Sequence, residues 1–183
     1  MRVVWALALV SLIALLAVAG SASAGKRSKW RYPLEGEHSY GNLSDTGFGK
    51  KRPDGSHHTG QDILADCGTP LVAPHLSEVR SKGYEDETGN YLVLHGKGTK
   101  FDFVFAHMKG RARVKQGARV KAGKRVGSVG RTGSASGVCH LHFELWTGRW
   151  FSGGRRVDPL PRLRKWDRRS GGPEVESSVR VAD

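Results

Sequence analysis

Residues 140–146 read His140-Leu141-His142-Phe143-Glu144-Leu145-Trp146, so polar and apolar side chains alternate at the start of an apolar run. In an extended strand, successive side chains point to opposite faces. Leu141 and Phe143 therefore share one face, while His140 and His142 share the other. The stretch predicts a β-strand with an apolar core on one side and a polar site on the other.

The rest of the chain repeats the pattern of short apolar runs. Five more are partly β-branched or aromatic and are separated by Gly, Asn, Asp or Lys; they span residues 62–65, 70–73, 91–94, 101–106 and 126–129. Short strands between turn residues are typical of an antiparallel sheet. The 25 glycines among 183 residues argue against a long helical bundle. We therefore expect a mainly β protein, a compact antiparallel sheet domain with long loops.

The N-terminal residues are typical of a secretory signal. Arg2 is followed by a charge-free stretch that ends in the small residues Ala22-Ser23-Ala24. We expect a signal peptide over residues 1–24, a basic linker over 25–32, one domain over 33–161 and a disordered basic and polar tail over 162–183. An uncleaved anchor helix is the alternative for the signal peptide, because its apolar run is close to membrane-spanning length.

The charge predicts anionic neighbours. The chain has 30 Lys and Arg against 17 Asp and Glu, a net charge of +13. Together with a signal peptide, this balance favours a secreted or cell-envelope protein whose basic surface meets anionic wall polymers. We expect no specific nucleic acid, membrane contact only if the signal is retained, and a monomer. The alternative is that the scattered cations only keep the protein soluble.

Cys67 and Cys139 are the two cysteines of the chain. Two cysteines are enough for one bridge in an oxidising compartment, so we expect a disulfide between them. The alternative is a pair of buried free thiols.

Three polar clusters are candidates for a site. The first is His58-Thr59-Gly60-Gln61-Asp62, the second is the His140-Leu141-His142 pair, and the third is His107 at the end of an aromatic run. Two histidines and one aspartate form a sufficient ligand set for catalytic zinc, which keeps a fourth position for water. Nitrogen and oxygen donors without thiolate favour zinc over copper(I) or iron–sulfur. Each motif alone is also common as a surface pair or a strand-end histidine.

Taken together, the motifs resemble those of the lysostaphin/LytM-type zinc endopeptidases. The resemblance covers residues 48–144 and the strand that follows. It rests on the segments Phe48-Gly49-Lys50-Lys51-Arg52, His58-Thr59-Gly60-Gln61-Asp62-Ile63, Gly68-Thr69-Pro70-Leu71-Val72-Ala73, Phe105-Ala106-His107-Met108, Gly127-Ser128-Val129-Gly130-Arg131-Thr132-Gly133 and His140-Leu141-His142-Phe143-Glu144. The fold that it implies is an antiparallel sheet of the duplicated-hybrid-motif type, with a groove bordered by loops.

The resemblance also implies roles for the polar residues. His58, Asp62 and His142 would bind one Zn²⁺ per chain, while His107 and His140 would be catalytic, beside the attacking water and the scissile carbonyl. A histidine with a pKa near 6.5 suits proton transfer at neutral pH, and we assign His140 as the base and His107 as the group that polarises the carbonyl or stabilises the intermediate. The opposite assignment of these two stays open. Glu144 shares their strand face, either as a partner of a ligand imidazole or as an ordinary strand carboxylate.

The expected function follows from the same resemblance. Such enzymes are secreted and hydrolyse peptide bonds in bacterial peptidoglycan, so the expected partners are peptidoglycan peptides. The alternative is a non-enzymatic LytM-like module that binds the wall and activates an amidase. Such modules typically lose zinc residues, whereas all five positions are present here.

Overall fold

A computed structural model of the chain describes residues 30–135 and 137–170. Within these ranges the chain forms nine strands and two helices. In chain order they are α1 Leu43–Thr46, β1 Gln61–Leu64, β2 Pro70–Val72, β3 Ser77–Glu85, β4 Gly89–Gly96, β5 Phe101–Met108, β6 Arg119–Val120, β7 Arg125–Ser128, β8 His140–Arg149, β9 Ser152–Val157 and α2 Leu160–Ser170. No helix in these ranges is long and apolar enough to cross a membrane.

The strands form two antiparallel sheets. The larger follows the order β1-β8-β5-β4-β3-β6, with β9 also paired to β8, and the smaller consists of β2 and β7. Each of the six apolar runs in the sequence overlaps a strand. The prediction of a mainly antiparallel β domain is confirmed.

Strand β8 has the two faces that its alternation predicts. Leu141, Phe143 and Leu145 are fully buried in the hydrophobic core. His140 and His142 lie on the other face and are 8% and 7% exposed. Because β1 and β5 pair with the two edges of β8, the polar face of β8 continues onto both neighbouring strands.

Two of the longer strands, β3 and β9, do not contain any of the apolar runs that predict strands in the sequence. Strand β3 alternates small and charged residues, and β9 contains two glycines and two arginines. Their register comes from their neighbours, since β3 pairs with the apolar strand β4 and β9 pairs with β8. Tertiary pairing, rather than intrinsic strand propensity, defines these strands.

The expected domain limits are too narrow at both ends. The prediction of a disordered tail from residue 162 is wrong for residues 162–170, which belong to α2. Leu163 and Trp166 of this helix are buried in the main core, because their spacing of three places them on one helix face. The sequence pattern did not predict this helix, because charged residues outnumber the two apolar residues of its buried face.

The expected basic linker over residues 25–32 is likewise wrong for its last residues. Tyr32 is 2% exposed, and the Trp30 ring stacks on Trp166 with ring centroids 5.0 Å apart. The domain therefore starts by residue 30. The expected signal peptide over 1–24 and the expected tail over 171–183 lie outside the described residues.

Cys67 and Cys139 form a disulfide, with Cα atoms 5.2 Å apart. This confirms the predicted bridge, and the alternative of two free thiols is wrong. The bond ties the segment after β1 to the residue directly before β8. It therefore holds together the two strands that carry Asp62 and both histidines of β8.

We expect Trp166→Ala to lower the free energy of unfolding by about 3–5 kcal/mol, because it removes a buried ring that packs on Trp30 and Phe103. Chemical denaturation of the two proteins measures this loss. Lys165→Ala, an exposed neighbour on the same helix, is the matched control and should change stability by less than about 0.5 kcal/mol. Equal, small effects of both changes would mean that α2 does not belong to the folded domain.

Candidate functional site

Three adjacent strands and one loop bring the five predicted site residues together. His142 of β8 lies opposite Asp62 of β1 and opposite Ala106 of β5. His107 follows Ala106, and His140 precedes His142 by one pleat. His58 comes from the loop that enters β1. The antiparallel register thus places residues that are up to 84 positions apart in the chain around one point.

Three donor atoms converge at this point. His58 Nε2 lies 3.0 Å from Asp62 Oδ1, and His142 Nδ1 lies 2.9 Å from both of these atoms. His58 and His142 are buried, while Asp62 is partly exposed. Two imidazole nitrogens and one carboxylate oxygen form the donor set expected for zinc.

The outward hydrogen bonds set the tautomers of the two imidazoles. His58 Nδ1 donates to the Gly47 carbonyl oxygen at 3.0 Å, so its Nε2 presents a lone pair. His142 Nε2 faces Thr59 Oγ1 at 3.2 Å and Glu144 Oε1 at 3.4 Å, and it carries the proton on that side. The neutral His142 ring then turns a lone pair of Nδ1 toward Asp62. Three electron pairs therefore face each other, and only a proton or a cation between them relieves their repulsion.

The spacing of this donor set fits zinc. Zinc bonds of about 2.0–2.1 Å in a tetrahedron separate the donor atoms by about 3.3 Å. The present separations of 2.9–3.0 Å need to widen by only a few tenths of an ångström. His58, Asp62 and His142 can therefore hold the ion with little rearrangement.

The pKa values of the same groups show how the metal-free cluster is balanced. Burial lowers the pKa of His142, but hydrogen bonds to Asp62 and Glu144 outweigh it and raise the pKa to about 9. Burial raises the pKa of Asp62, yet hydrogen bonds with His142 and His58 hold that pKa well below its usual range. A second proton on His142 thus takes the place of a cation, and metal binding would release it.

His107 and His140 stand beside the donor cluster in one common arrangement. His107 Nδ1 donates to the Thr132 carbonyl oxygen at 2.8 Å, and His140 Nδ1 donates to the Val138 carbonyl oxygen at 2.9 Å. Each ring therefore turns an Nε2 lone pair away from the backbone. The two ring centroids are 4.8 Å apart, and His140 Nε2 lies 3.7 Å from Asp62 Oδ1.

Both rings are held in the neutral form. Burial lowers the pKa of His107, and the neighbouring His142 and His140 lower it further, to about 4. Burial is also the largest influence on the pKa of His140, which lies below its usual value. His107 adopts φ 58°, a left-handed conformation that is uncommon outside glycine and concentrates at functional sites.

Glu144 is a partner of the donor cluster rather than an ordinary strand carboxylate. Its Oε1 faces His142 Nε2, and its Oε2 accepts from Trp146 Nε1 at 2.6 Å. Arg156 Nε lies 3.8 Å from the same carboxylate. Burial raises the pKa of Glu144, but the contact with His142 outweighs it and keeps the pKa below its usual value. Such a carboxylate fixes the orientation of a ligand imidazole.

Two cavities flank the cluster and form a groove. One, of about 160 Å³, is lined by Thr59, His142, Phe151 and Arg156 among others. The other, of about 270 Å³, is lined by Asp62, Leu64, Val138 and His140 among others. His107, Arg52 and Ser134 line both cavities, so the groove runs past the donor atoms on either side. The expectation of loops around a groove is confirmed.

Sequence reasoning missed several residues of this groove. Thr59 was visible inside the His58 to Asp62 motif, but nothing in its type marked it as a partner of His142. Phe151 and Arg156 come from the β8–β9 hairpin, whose weak strand pattern gave no signal. Arg52 belongs to the Phe48–Arg52 motif, but its position beside both cavities depends on the loop conformation.

Two of the histidines that are not assigned to the site, His38 and His95, form hydrogen bonds elsewhere in the domain. His38 Nε2 contacts Asp167 at 3.3 Å near α2, and His95 Nδ1 bonds to Asp102 at 2.9 Å. Among the described residues, His58, Asp62 and His142 are the one group of this kind that could hold a metal ion.

The chain is similar to several solved structures, among them proteins described as peptidases. The catalytic domain of the antimicrobial peptidase lysostaphin from Staphylococcus simulans is 29% identical with a TM-score of 0.57, covering 70% of this chain and 99% of its own. The catalytic domain of a prophage-encoded M23 protein, EnpA, from Enterococcus faecalis is 33% identical with a TM-score of 0.53, covering 62% and 85%. A zinc-containing peptidase from Vibrio cholerae is 26% identical with a TM-score of 0.59, covering 73% and 40%.

No curated protein matches the chain. The model of peptidase family M23, however, matches residues 56–159, which include all five site residues and every strand from β1 to β9. With more than half of its length matched, the chain belongs to peptidase family M23.

Proposed function

We propose that the protein is a zinc-dependent metalloendopeptidase that hydrolyses peptide bonds in bacterial peptidoglycan, acting outside the cell or in the cell envelope. The observation that carries this proposal is the convergence of three donor atoms with two further imidazole lone pairs at one point of a groove. The family and the lysostaphin-like fold support peptide-bond hydrolysis. The disulfide is consistent with an oxidising, extracytoplasmic compartment.

His58 Nε2, Asp62 Oδ1 and His142 Nδ1 would hold the metal. When bound, zinc supplies Lewis acidity, which polarises the substrate carbonyl and lowers the pKa of water so that it attacks at neutral pH. Glu144 and Thr59 hold the His142 ring in the orientation that presents Nδ1. The hydrogen bond from His58 Nδ1 to the Gly47 carbonyl oxygen holds the His58 ring in the orientation that presents Nε2.

His140 is the proposed base. Its neutral ring accepts a proton from the attacking water at Nε2, because Nδ1 is already committed to the Val138 carbonyl oxygen. His140 Nε2 can then return this proton to the leaving amine.

His107 is the proposed second catalytic residue, and its ring lies next to that of His140. Its Nδ1 bond to Thr132 and its left-handed backbone direct the ring to the position where both cavities meet. There, the Nε2 lone pair can accept a hydrogen bond from the water or from a peptide N–H across the groove. A neutral ring whose Nδ1 donates to Thr132 has no proton on Nε2, so the expected polarisation of the carbonyl by His107 would require a second proton on the ring. An extended peptide that fills both cavities would have its scissile bond beside His107, which lines both of them.

Metal content and turnover of single variants test this proposal. The purified protein should carry one zinc per chain and release new amino groups from peptidoglycan. His142→Ala should lose zinc, because it removes a donor. His140→Ala and His107→Ala should keep zinc and lose turnover by about 10²–10⁴-fold. Elemental analysis and amine release measure the two properties separately.

His57→Ala is the matched control, since this exposed histidine adjoins His58 but lies outside the donor cluster. It should keep its zinc. A wild-type protein without zinc after incubation with zinc salt would contradict the proposal. A protein that binds zinc, cleaves no wall preparation and stimulates an amidase would be the wall-binding activator instead.

The close approach of Gly60 to β8 gives a further prediction. A Cβ at this residue would lie 2.5 Å from the Phe143 carbonyl oxygen and 2.9 Å from His142 Nε2. We expect Gly60→Ala to push His142 out of place and weaken zinc binding about tenfold, which corresponds to about 1.4 kcal/mol. Competition with a zinc chelator measures the affinity.

Gly110→Ala serves as the comparison for Gly60→Ala, because its Cβ would meet no atom within 4 Å and its φ is not positive. Its zinc affinity should equal that of the wild type. Equal affinities in all three proteins would show that the spacing of β1 and β8 does not control the metal centre.

A further inference from the structure

One exposed segment of the domain has an unbalanced charge. Between Asp102 and Glu144 the chain contains nine Lys and Arg residues and not one Asp or Glu. All nine cations fall within residues 109–131, and all nine are exposed. We name the surface formed by this segment the basic face.

The fold forces these cations outward. Ala112 and Val114 are buried, whereas Arg111, Arg113 and Lys115 around them are exposed, so the cations project from one side of the segment. The Arg113 N–H donates to the Val126 carbonyl oxygen at 3.0 Å. This bond brings the segment alongside β7.

The positive charge of the basic face is not neutralised within the described part of the chain. None of its nine cations forms an ion pair with a residue in 30–135 or 137–170. Glu78 lies opposite Arg119 in the β3–β6 pair, but its carboxylate contacts Lys97 Nζ at 3.2 Å. Concentrated, exposed and unpaired cations attract a polyanion.

The residue types of the basic face indicate which kind of polyanion it suits. A bilayer surface is usually bound by cations together with apolar side chains that insert. The large exposed apolar residues of the described chain are Leu76, Tyr84, Val138 and Phe151, and none belongs to the basic face. Single-stranded nucleic acid is bound by cations together with aromatic rings on which bases stack. No Phe, Trp or Tyr occurs between Phe105 and Phe143.

We propose that the basic face binds a soluble phosphodiester polymer of the bacterial cell wall. Guanidinium and ammonium groups pair well with phosphate oxygens and need neither insertion nor stacking. The inference goes beyond the peptidase proposal and does not depend on the metal centre.

The position of the basic face gives such binding a use. Lys109 directly follows β5, two residues after His107. Arg131 directly precedes Thr132, whose carbonyl oxygen accepts from His107 Nδ1. Both ends of the basic face thus lead to the groove, and a bound polymer would hold the groove close to the wall.

Binding of the full-length protein to purified poly(glycerol phosphate) tests this proposal. The face variant carries Arg111→Gln, Arg113→Gln, Lys115→Gln and Arg119→Gln. The control variant carries Arg149→Gln, Arg155→Gln, Arg164→Gln and Lys165→Gln, which are exposed residues outside the basic face and remove the same charge. Fluorescence titration at 50 mM and 500 mM NaCl gives the affinities, and thermal unfolding verifies that both variants fold.

We expect the wild type to bind the polymer and to lose at least about tenfold in affinity at the higher salt concentration. The face variant should lose at least about tenfold at low salt, and the control variant less than about threefold. Both variants should cleave a soluble peptide substrate as the wild type does. Polymer binding and peptidase activity are therefore measured independently of each other.

Four results would overturn the proposal. These are no binding by the wild type, equal losses in both variants, tighter binding to vesicles of anionic phospholipid than to the polymer, and tighter binding to duplex DNA than to the polymer. Equal losses in both variants would mean that polymer binding depends on the net charge of the protein and not on the position of the cations. The last two would assign the basic face to a membrane or to nucleic acid.

Discussion

The antiparallel pairing of β8 with β1 on one edge and β5 on the other is the constraint on which the site depends. His142 faces Asp62 across one pair and Ala106 across the other. A slip of one residue in either pair would turn a site residue to the core face, because side chains alternate along a strand. The core face of β8 prevents such a slip, since Leu141, Phe143 and Leu145 are completely buried. The same packing that stabilises the sheet therefore aligns the donor atoms.

Covalent and aromatic contacts reinforce this alignment from outside the site. The disulfide joins the ends of β1 and β8 next to His140. On the far side of the core, Trp166 of α2 packs on Phe103 and Phe143, which extends the core under the central strands. Outward hydrogen bonds to backbone carbonyl oxygens then set the tautomers of His58, His107 and His140. Side chains that are locked in this way can hold a metal and a substrate without large rearrangement.

Sequence alone predicts the strands whose apolar pattern is strong and the residues whose spacing is characteristic. The alternation in β8, the disulfide and the five polar residues could be stated in advance, since each depends on local spacing or on a set of motifs. Strands β3 and β9 could not, because their pairing with β4 and β8 outweighs their polar composition. Helix α2 was missed because charge dominates its sequence, although Leu163 and Trp166 share one face. The contacts of Thr59 and Arg156 depend on loop and hairpin geometry, which local spacing does not contain.

A crystal structure of the zinc-loaded protein, with anomalous scattering recorded at the zinc edge, would locate the metal and its ligands. We expect one anomalous peak bonded to His58 Nε2, Asp62 Oδ1 and His142 Nδ1. His107 Nε2 and His140 Nε2 should face the remaining open position without binding the metal. A peak bonded to Glu144, to His57 or to a fourth side chain that closes the site would show that these three residues do not form an open catalytic zinc site.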